Sequence, residues 1–279
     1  MKTNVVLADL AFAEGPRWHE GRLWFSDMHD HRVAAVDLGG TAETIVEVPG
    51  QPSGLGWLPD GTLLVVSMVD RRLLRLDGGA LTEVADLSAQ ATFHCNDMVV
   101  DARGRAYVGN FGWDLHGGGT PVDAVLLLVA PDGETRVVAT DLSFPNGSVI
   151  TPDGVTLVVG ETMAARLTAF DVAPDGALSN RREWARLDGA VPDGICLDAE
   201  GAIWVASPVS AEVLRVCEGG AVTHRVPVDT QAFAYMLGGP ERRHLFVCTA
   251  LDSDPARCRD TRSGRIEVVE VEVPGAGRP

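Results

Sequence analysis

The segment PheProAsnGlySerValIleThrProAspGlyValThrLeuValVal, residues 144–159, is one copy of a pattern that recurs along the chain. A polar residue, Asn146, precedes an apolar stretch, a tight turn of ProAspGly follows at 152–154, and β-branched residues come next. Short runs of β-branched residues bounded by Gly, Pro and Asp are typical of strands joined by a hairpin turn. The segment therefore predicts two antiparallel strands, of which the first begins beside Asn146.

The pattern occurs six times. Its tight turns lie at 19–21, 59–61, 101–104, 152–154, 198–201 and 239–243. A third strand is predicted after each hairpin, at 32–36, 72–76, 124–128, 166–170, 212–216 and 265–269. A more polar fourth strand, such as 43–48, closes each of the first five copies, so the repeating unit is a four-stranded antiparallel sheet.

The sixth copy reaches the end of the chain before its fourth strand, whereas the strand-like residues 4–10 precede the first copy and have no place in it. We expect residues 4–10 to complete the last unit and close a ring. Four-stranded units at this period predict an all-β fold, a six-bladed β-propeller that forms one domain over residues 1–279.

Composition excludes several classes of protein. The 279 residues carry 23 basic and 39 acidic side chains, a formal net charge of −16, which disfavours a nucleic-acid partner. The apolar content of 46% excludes a disordered chain, and the longest apolar runs are too short to span a membrane. No secretory signal is recognised, and the five cysteines form no CxxC pair, so a reduced, cytoplasmic protein is expected.

The residues that begin the first strands of a propeller meet around its axis at one mouth. We take these anchor residues to be Glu14, Ser53, Asn96, Asn146, Asp193 and Met236. Each is by itself an ordinary turn or strand residue, but four oxygen-bearing side chains at equivalent positions predict a metal site. Oxygen ligands favour Ca²⁺, with Mg²⁺ or Mn²⁺ as competitors, and Zn²⁺ is less expected because it selects His or Cys.

The loops that join second to third strands overhang the same mouth. The two longest are 111–121 and 251–264, which makes Asp114, His116, Arg257 and Arg259 candidate substrate contacts. The segment AspMetHisAspHis at 27–31 lies on this face, and we interpret its His-x-His spacing as a solvated loop rather than a zinc site.

A set of motifs, taken in order, resembles the senescence-marker-protein, gluconolactonase and luciferin-regenerating-enzyme family of calcium-dependent six-bladed propellers. The motifs are GluGlyPro at 14–16, AsnAsp at 96–97 followed by AspAlaArgGlyArg, PheProAsnGly at 144–147 and ProAspGlyIle at 192–195. The resemblance implies that Glu14, Asn146 and Asp193 bind the metal. It places Asn96 beside the ion, as a substrate contact or a further ligand, and it points to Asp114 as a substrate contact.

Family members commonly carry arginine two residues before that asparagine, whereas this chain has His94. The departure leaves open whether the substrate is the family's usual sugar lactone. The hypothesis from the sequence is metal-assisted hydrolysis of a small lactone, in which the ion polarises the carbonyl, Asp193 orients or deprotonates water, and Asn96 and His94 position the ring, with Asp114 or His116. Two alternatives remain: a phosphotriesterase with the same metal site, and a non-enzymatic binding propeller with a structural ion.

Overall fold

A computed structural model describes residues 2–278 as six four-stranded antiparallel sheets arranged around a central channel. The strands of blades one to three are β2 (Ala13–His19), β3 (Arg22–Asp27), β4 (Arg32–Val36), β5 (Ala42–Glu47), β6 (Pro52–Trp57), β7 (Leu63–Ser67), β8 (Arg72–Asp77), β9 (Ala80–Asp86), β10 (Cys95–Val100), β11 (Ala106–Asn110), β12 (Ala124–Val129) and β13 (Thr135–Leu142). Those of blades four and five are β14 (Pro145–Ile150), β15 (Thr156–Glu161), β16 (Arg166–Val172), β17 (Leu178–Arg186), β18 (Ile195–Leu197), β19 (Ile203–Ser207), β20 (Glu212–Val216) and β21 (Val222–Pro227).

Blade six closes the ring. Its inner strands are β22 (Gln231–Gly238), β23 (His244–Ala250) and β24 (Gly264–Glu270), and its outer strand is β1 (Asn4–Leu10), which pairs antiparallel with β24. The predicted six-bladed propeller, including closure by the N-terminal strand, is confirmed. A short helix, α1 (Pro255–Thr261), lies in the loop between β23 and β24, where the sequence predicted only a loop.

The tight turns are held by aspartate side chains. Asp198 is representative: its Oδ1 accepts hydrogen bonds from the backbone N–H groups of Glu200 (2.9 Å) and Ala202 (3.1 Å). Its Oδ2 accepts from Trp204 Nε1 (3.1 Å) and from Arg215 Nε (2.6 Å). An aspartate that binds the backbone two residues ahead mimics a turn, which explains why AspGly and AspAlaxGly recur at this end of the blades.

Buried polar residues end several second strands and fix the opposite end of the blades. Asp27 accepts from the backbone N–H groups of Ala11 (3.1 Å) and Phe12 (3.0 Å), and Glu161 accepts from that of Ser143 (2.9 Å). Each bond ties the end of a second strand to the segment that leads into the first strand of the same blade. The residues that begin the first strands are therefore held rigidly at one mouth of the channel.

The core is divided among the blades and their contacts. Fully buried side chains between adjacent sheets include Leu23, Phe25, Leu55, Tyr107 and Trp204. All five cysteines are unpaired, and four of them are buried. No helix in residues 2–278 has the length and apolar character needed to cross a membrane.

The two mouths of the channel differ. At the far mouth, beside the turns between first and second strands, residues 274–278 cross the channel, and Ala276 donates its N–H to the Leu197 carbonyl (2.9 Å). A cavity of about 290 Å³ lies beneath this tail and is lined by Ala276, Ile195, Cys196, Met236 and Arg17, among others. At the near mouth the loops between second and third strands surround a deeper pocket.

Candidate active site

The near mouth holds a pocket of about 390 Å³ that collects most of the predicted site residues. It is lined by Glu14, His94, Asn96, Asp114, His116, Asn146 and Asp193, together with residues that the sequence analysis did not single out. Of the six predicted anchors, four line this pocket, whereas Ser53 is buried beside Asn96 and Met236 is not among the lining residues. The two loops do overhang the pocket, through Phe111 to His116 and through Ser253 and Pro255.

Glu14 and Asp193 lie on the floor of the pocket, each surrounded by protein and partly open to the cavity. Burial raises the pKa of Glu14 well above the ordinary glutamate range, although a hydrogen bond from the Gly15 N–H (2.9 Å) opposes the shift. Burial and then the charge of Glu14 raise the pKa of Asp193 well above the ordinary aspartate range. Two carboxyl groups that repel each other in a dehydrated site have the electrostatics that a bound cation would relieve.

Glycines beside the anchors let the first strands approach the axis. Gly15 has φ +54°, and a Cβ there would lie 2.6 Å from the Ser53 carbonyl oxygen. A Cβ on Gly147 would lie 2.3 Å from the Ile195 nitrogen. Only glycine fits either position, which accounts for the GluGly and AsnGly pairs in the sequence.

Two amides complete the polar floor. Asn146 donates its Nδ2–H to Thr162 Oγ1 (3.4 Å), and its side chain opposes the rise in the pKa of Asp193. Asn96 accepts a hydrogen bond from Ser53 Oγ at its Oδ1 (3.2 Å). The floor therefore offers carboxylate and amide oxygens from four different blades.

A buried ion pair lies in the channel beside this floor. Arg17, 6% exposed, donates from Nη2 to Asp97 Oδ1 (2.9 Å) and to the Met98 carbonyl (2.7 Å), and from Nη1 to the Pro16 carbonyl (2.9 Å). The charge of Asp97 contributes to the raised pKa values of both Glu14 and Asp193. No sequence pattern predicted this pair, because its two members come from different blades.

His94 and the two polar residues of the loop 111–121 lie at the side of the pocket. The His94 ring stacks on Phe93 with centroids 4.0 Å apart, and burial lowers its pKa, so the ring is neutral near pH 7. Asp114 and His116 are exposed at the rim, and Asp114 Oδ1 accepts a hydrogen bond from the Gly117 N–H (2.7 Å).

Three expectations from the sequence need correction or refinement. Met236 does not lie at the near mouth: it lies within β22, pairs with Phe246 of β23 and lines the far cavity. Phe233 takes the equivalent position, because the Gly194 N–H bonds the Phe233 carbonyl (2.8 Å) as the Gly147 N–H bonds that of Asp193 (3.1 Å). Blade six therefore has an apolar anchor, Phe233. Neither a polar side chain nor a following glycine marks this residue in the sequence.

The candidate arginines also differ from expectation. Neither Arg257 nor Arg259 is among the described residues that line the pocket, and Arg257 is an exposed partner of Asp252 (2.8 Å). Of the two histidines at 29 and 31, His31 binds the Pro49 carbonyl (2.9 Å) away from the pocket, whereas His29 lines it. His29 is 3% exposed, its Nε2 lies 3.3 Å from the Ser253 carbonyl, and burial lowers its pKa to about 4. The two rings do not form a joint metal site.

The metal ion that the floor could hold depends on the donor atoms that its side chains supply. Across residues 2–278, no group of three or more His, Cys, Asp and Glu side chains is arranged to hold a metal. The predicted ligands instead comprise two carboxylates and an amide, a set typical of hard divalent cations rather than of zinc. The raised pKa values of the two carboxyls fit such a cation.

The sequence of this chain is similar to a protein family and to several known proteins over most of its length. Residues 12–251 match the family model of the SMP-30/Gluconolactonase/LRE-like region. Pentonolactonase XacC of Haloferax volcanii is 30% identical over 257 residues, which cover 89% of this chain and 84% of that protein. L-arabinolactonase of Azospirillum brasilense is 26% identical over 281 residues, which cover 97% and 92%.

Among solved structures, a calcium-binding regucalcin from Agrobacterium tumefaciens superposes with a TM-score of 0.81 at 23% identity, over 100% of this chain and 96% of that one. At this identity the likeness concerns the fold. The family resemblance predicted from the motifs is confirmed by the match over residues 12–251. Since that match spans most of the sequence, the chain belongs to the SMP-30/gluconolactonase/LRE-like family.

Proposed function

We propose that the protein is a metal-dependent lactonase that opens a small cyclic ester to its hydroxy acid. The observation that carries the proposal is the pair of carboxyls, Glu14 and Asp193, that lie partly open to the cavity at the floor of a pocket large enough for a small ligand and whose pKa values are raised by desolvation. The names of two full-length relatives, a pentonolactonase and an L-arabinolactonase, support the same reaction class.

Glu14, Asn146 and Asp193 would hold the metal, with Asn96 beside it as a further ligand or a substrate contact. A divalent cation, for which Ca²⁺ is our first choice, would supply Lewis-acid polarisation of the ester carbonyl when bound. The calcium-binding regucalcin of Agrobacterium tumefaciens, which has this fold, is consistent with that choice.

The remaining steps belong to the chain's own residues. Asp193 orients water or accepts its proton, and Asn146 lies with it among the residues that line the floor. Asn96 and the neutral ring of His94 position the lactone, with Asp114 and His116 at the rim. The Arg17–Asp97 ion pair links β2 of blade one to β10 of blade three next to the floor.

The proposal is tested by measuring acid release from a panel of lactones by the chelated protein, alone and with Ca²⁺, Mn²⁺ or Zn²⁺. We expect metal to be required, and we expect Asp193→Asn and Glu14→Gln each to lower turnover at least about 100-fold at saturating metal. Glu218→Gln, an exposed residue on the far face, is the matched control and should retain full activity.

Full turnover of both floor variants would refute the assignment of these residues. An organophosphate triester assayed in parallel tests the phosphotriesterase alternative. If chelation lowers the melting temperature and no substrate is hydrolysed under any condition, the protein is a binding propeller with a structural ion.

A further inference from the structure

The walls of the near pocket, above its polar floor, are mostly apolar. Six buried residues from different blades and from α1 form a cluster at the mouth that is separate from the hydrophobic cores between blades. We call it the mouth cluster: Phe12, Met28, Met68, Phe233, Ala250 and Cys258. Phe12 and Phe233 pack edge to face with centroids 4.8 Å apart, and both line the pocket. One side of the pocket is therefore a preformed hydrophobic surface.

A second set of aromatic residues lines the pocket next to the mouth cluster, against which Phe111 packs. Phe111 stacks on Phe144 at 4.8 Å, and Trp113 packs against Phe144 at 5.3 Å. Phe93 stacks on His94 at the same side. We call the pocket-lining members, Phe93, Phe111 and Phe144, the aromatic wall. A ligand that reaches the floor therefore passes a continuous apolar surface, because Phe111 of the aromatic wall packs against the mouth cluster.

The polar groups that line the pocket do not offset the apolar character of its walls. No arginine or lysine is among the described residues that line the pocket, whereas three lining residues, Glu14, Asp114 and Asp193, are acidic. Three polar side chains of the walls are already engaged by backbone: Gln231 Nε2 donates to the Leu251 carbonyl (2.8 Å), His29 Nε2 lies by the Ser253 carbonyl, and Thr162 Oγ1 donates to the Pro192 carbonyl (2.7 Å). Gln51, which also lines the pocket, adds one amide to the polar groups of the floor and rim. A site that recognises hydroxyl groups needs free, well-placed hydrogen-bonding groups, and an anionic ligand needs a cation.

The rim continues the apolar surface outward. Met163 and Val209, from neighbouring blades, both line the pocket and are 54% and 69% exposed. Exposed apolar side chains are ordinary when they are scattered over a surface. Here Met163 and Val209 continue the apolar lining of the pocket out to the solvent. A substituent on a ligand bound at the floor would leave water and contact these side chains.

We propose that the substrate is an uncharged lactone with an alkyl or aryl substituent, rather than a polyhydroxylated or anionic one. The inference rests on the proposed lactonase function and specifies its substrate class. In the reaction water adds to the carbonyl carbon, the ring C–O bond breaks and the released ring oxygen takes a proton, which yields a hydroxy acid with an apolar tail. The mouth cluster and the aromatic wall hold the tail, and the polar floor holds the ester.

The test compares γ-butyrolactones that carry methyl, butyl and hexyl groups at the γ carbon with D-glucono-1,5-lactone, in a pH-stat assay with saturating metal. Each methylene that becomes buried contributes about 0.8 kcal/mol, so kcat/KM should rise by up to about fourfold per methylene until the tail leaves the pocket. The hexyl lactone should exceed gluconolactone by at least about tenfold in kcat/KM.

Variants at the rim separate tail binding from ester chemistry. Val209→Ser and Met163→Ser should each lower kcat/KM for the hexyl lactone about three- to fivefold and flatten the dependence on chain length. Val155→Ser is the matched control: Val155 is also exposed (54%) but lies in a turn on the far face, so the dependence should be unchanged.

The outcomes distinguish the two levels of the proposal. Hydrolysis of gluconolactone at a kcat/KM equal to or above that of the hexyl lactone, without dependence on chain length, overturns the inference and leaves the lactonase function standing. The absence of hydrolysis of every lactone with Ca²⁺, Mn²⁺ and Zn²⁺ overturns both.

Discussion

Glu161 carries a carboxyl group that solvent does not reach. Its side chain is 0% exposed and accepts hydrogen bonds from the Ser143 N–H, Arg166, Arg181 and Thr168. Burial by itself would raise the pKa of Glu161, but the hydrogen bonds from Arg166, Ser143 and Thr168 together lower it below its ordinary value of 4.5. At the residue scale, the ionised form of Glu161 therefore stabilises blade four.

We expect Glu161→Gln to lower the free energy of unfolding by about 3 kcal/mol near pH 7, because it removes one partner of a buried ion pair. A carboxyl whose pKa is lower in the folded than in the unfolded state contributes its full stabilisation above the unfolded value and loses it as pH falls. The difference between wild type and variant should therefore narrow below about pH 4.5 in urea titrations. Glu183→Gln, at an exposed residue of the same blade, should change stability by less than about 0.5 kcal/mol at either pH.

At the scale of elements, α1 is the part of the structure that covers the pocket from blade six. Its N-cap is Asp254, whose Oδ1 accepts hydrogen bonds from the N–H groups of Ala256 and Arg257, both at 3.0 Å. On its inner side Cys258, fully buried, joins the mouth cluster beneath Phe12 and Met28. The helix is short, so its position depends on attachments such as this cap, the contact of Cys258 and the ion pair of its C-cap residue Arg262 with Asp30 (2.9 Å).

We expect Asp254→Ala to loosen α1 without unfolding the propeller, because the helix loses the acceptor for its first N–H groups. Hydrogen exchange measured by mass spectrometry should speed up in residues 255–261 and stay unchanged in β10 to β13. Asp260→Ala, in the last turn of the same helix, is the control. Equal protection of the helix in both variants would show that the cap does not hold it.

At the scale of the whole molecule, the ring depends on β1. Leu10 is 3% exposed, and Val6 and Leu7 pack against the core of blade six. A variant that lacks residues 1–10 should lose at least about 3 kcal/mol of stability, since it loses a buried leucine and the pairing with β24. The freed edge of β24 should also promote association between molecules.

Differential scanning calorimetry and light scattering after gel filtration measure the two effects of this truncation. A variant that lacks only residues 1 and 2 keeps β1 and should behave as wild type. A truncated protein that melts as wild type and stays the same size would mean that β1 does not close the ring.

The sequence predicted the blades well because their contacts are local. Each hairpin joins strands a few residues apart, and its turn chemistry is visible as AspGly or AspAlaxGly, so even the bounds of β4 and β1 agreed with the structure. The anchors Glu14, Asn146 and Asp193 were found for the same reason, since a glycine follows each one. Phe233 was missed because it has neither a polar side chain nor a following glycine.

Contacts between blades were not predictable in this way. The mouth cluster joins Phe12 to Phe233 and to Cys258, residues far apart in the chain, and each looks like an ordinary core residue on its own strand or helix. The Arg17–Asp97 pair spans blades one and three. Such pairs depend on how the sheets are rotated around the axis, which no short sequence pattern records.

The Arg17–Asp97 pair also lies in the channel between the cavities of its two mouths. The cavities at the two mouths share no lining residue, and the buried guanidinium of Arg17 lies between Glu14 at one and Cys196 at the other. A small molecule that reaches the floor must therefore leave by the opening through which it entered. The turns of the far face, at 59–61 and 152–154, are accordingly the places to attach the protein to a solid support, because an attachment there leaves that single opening clear.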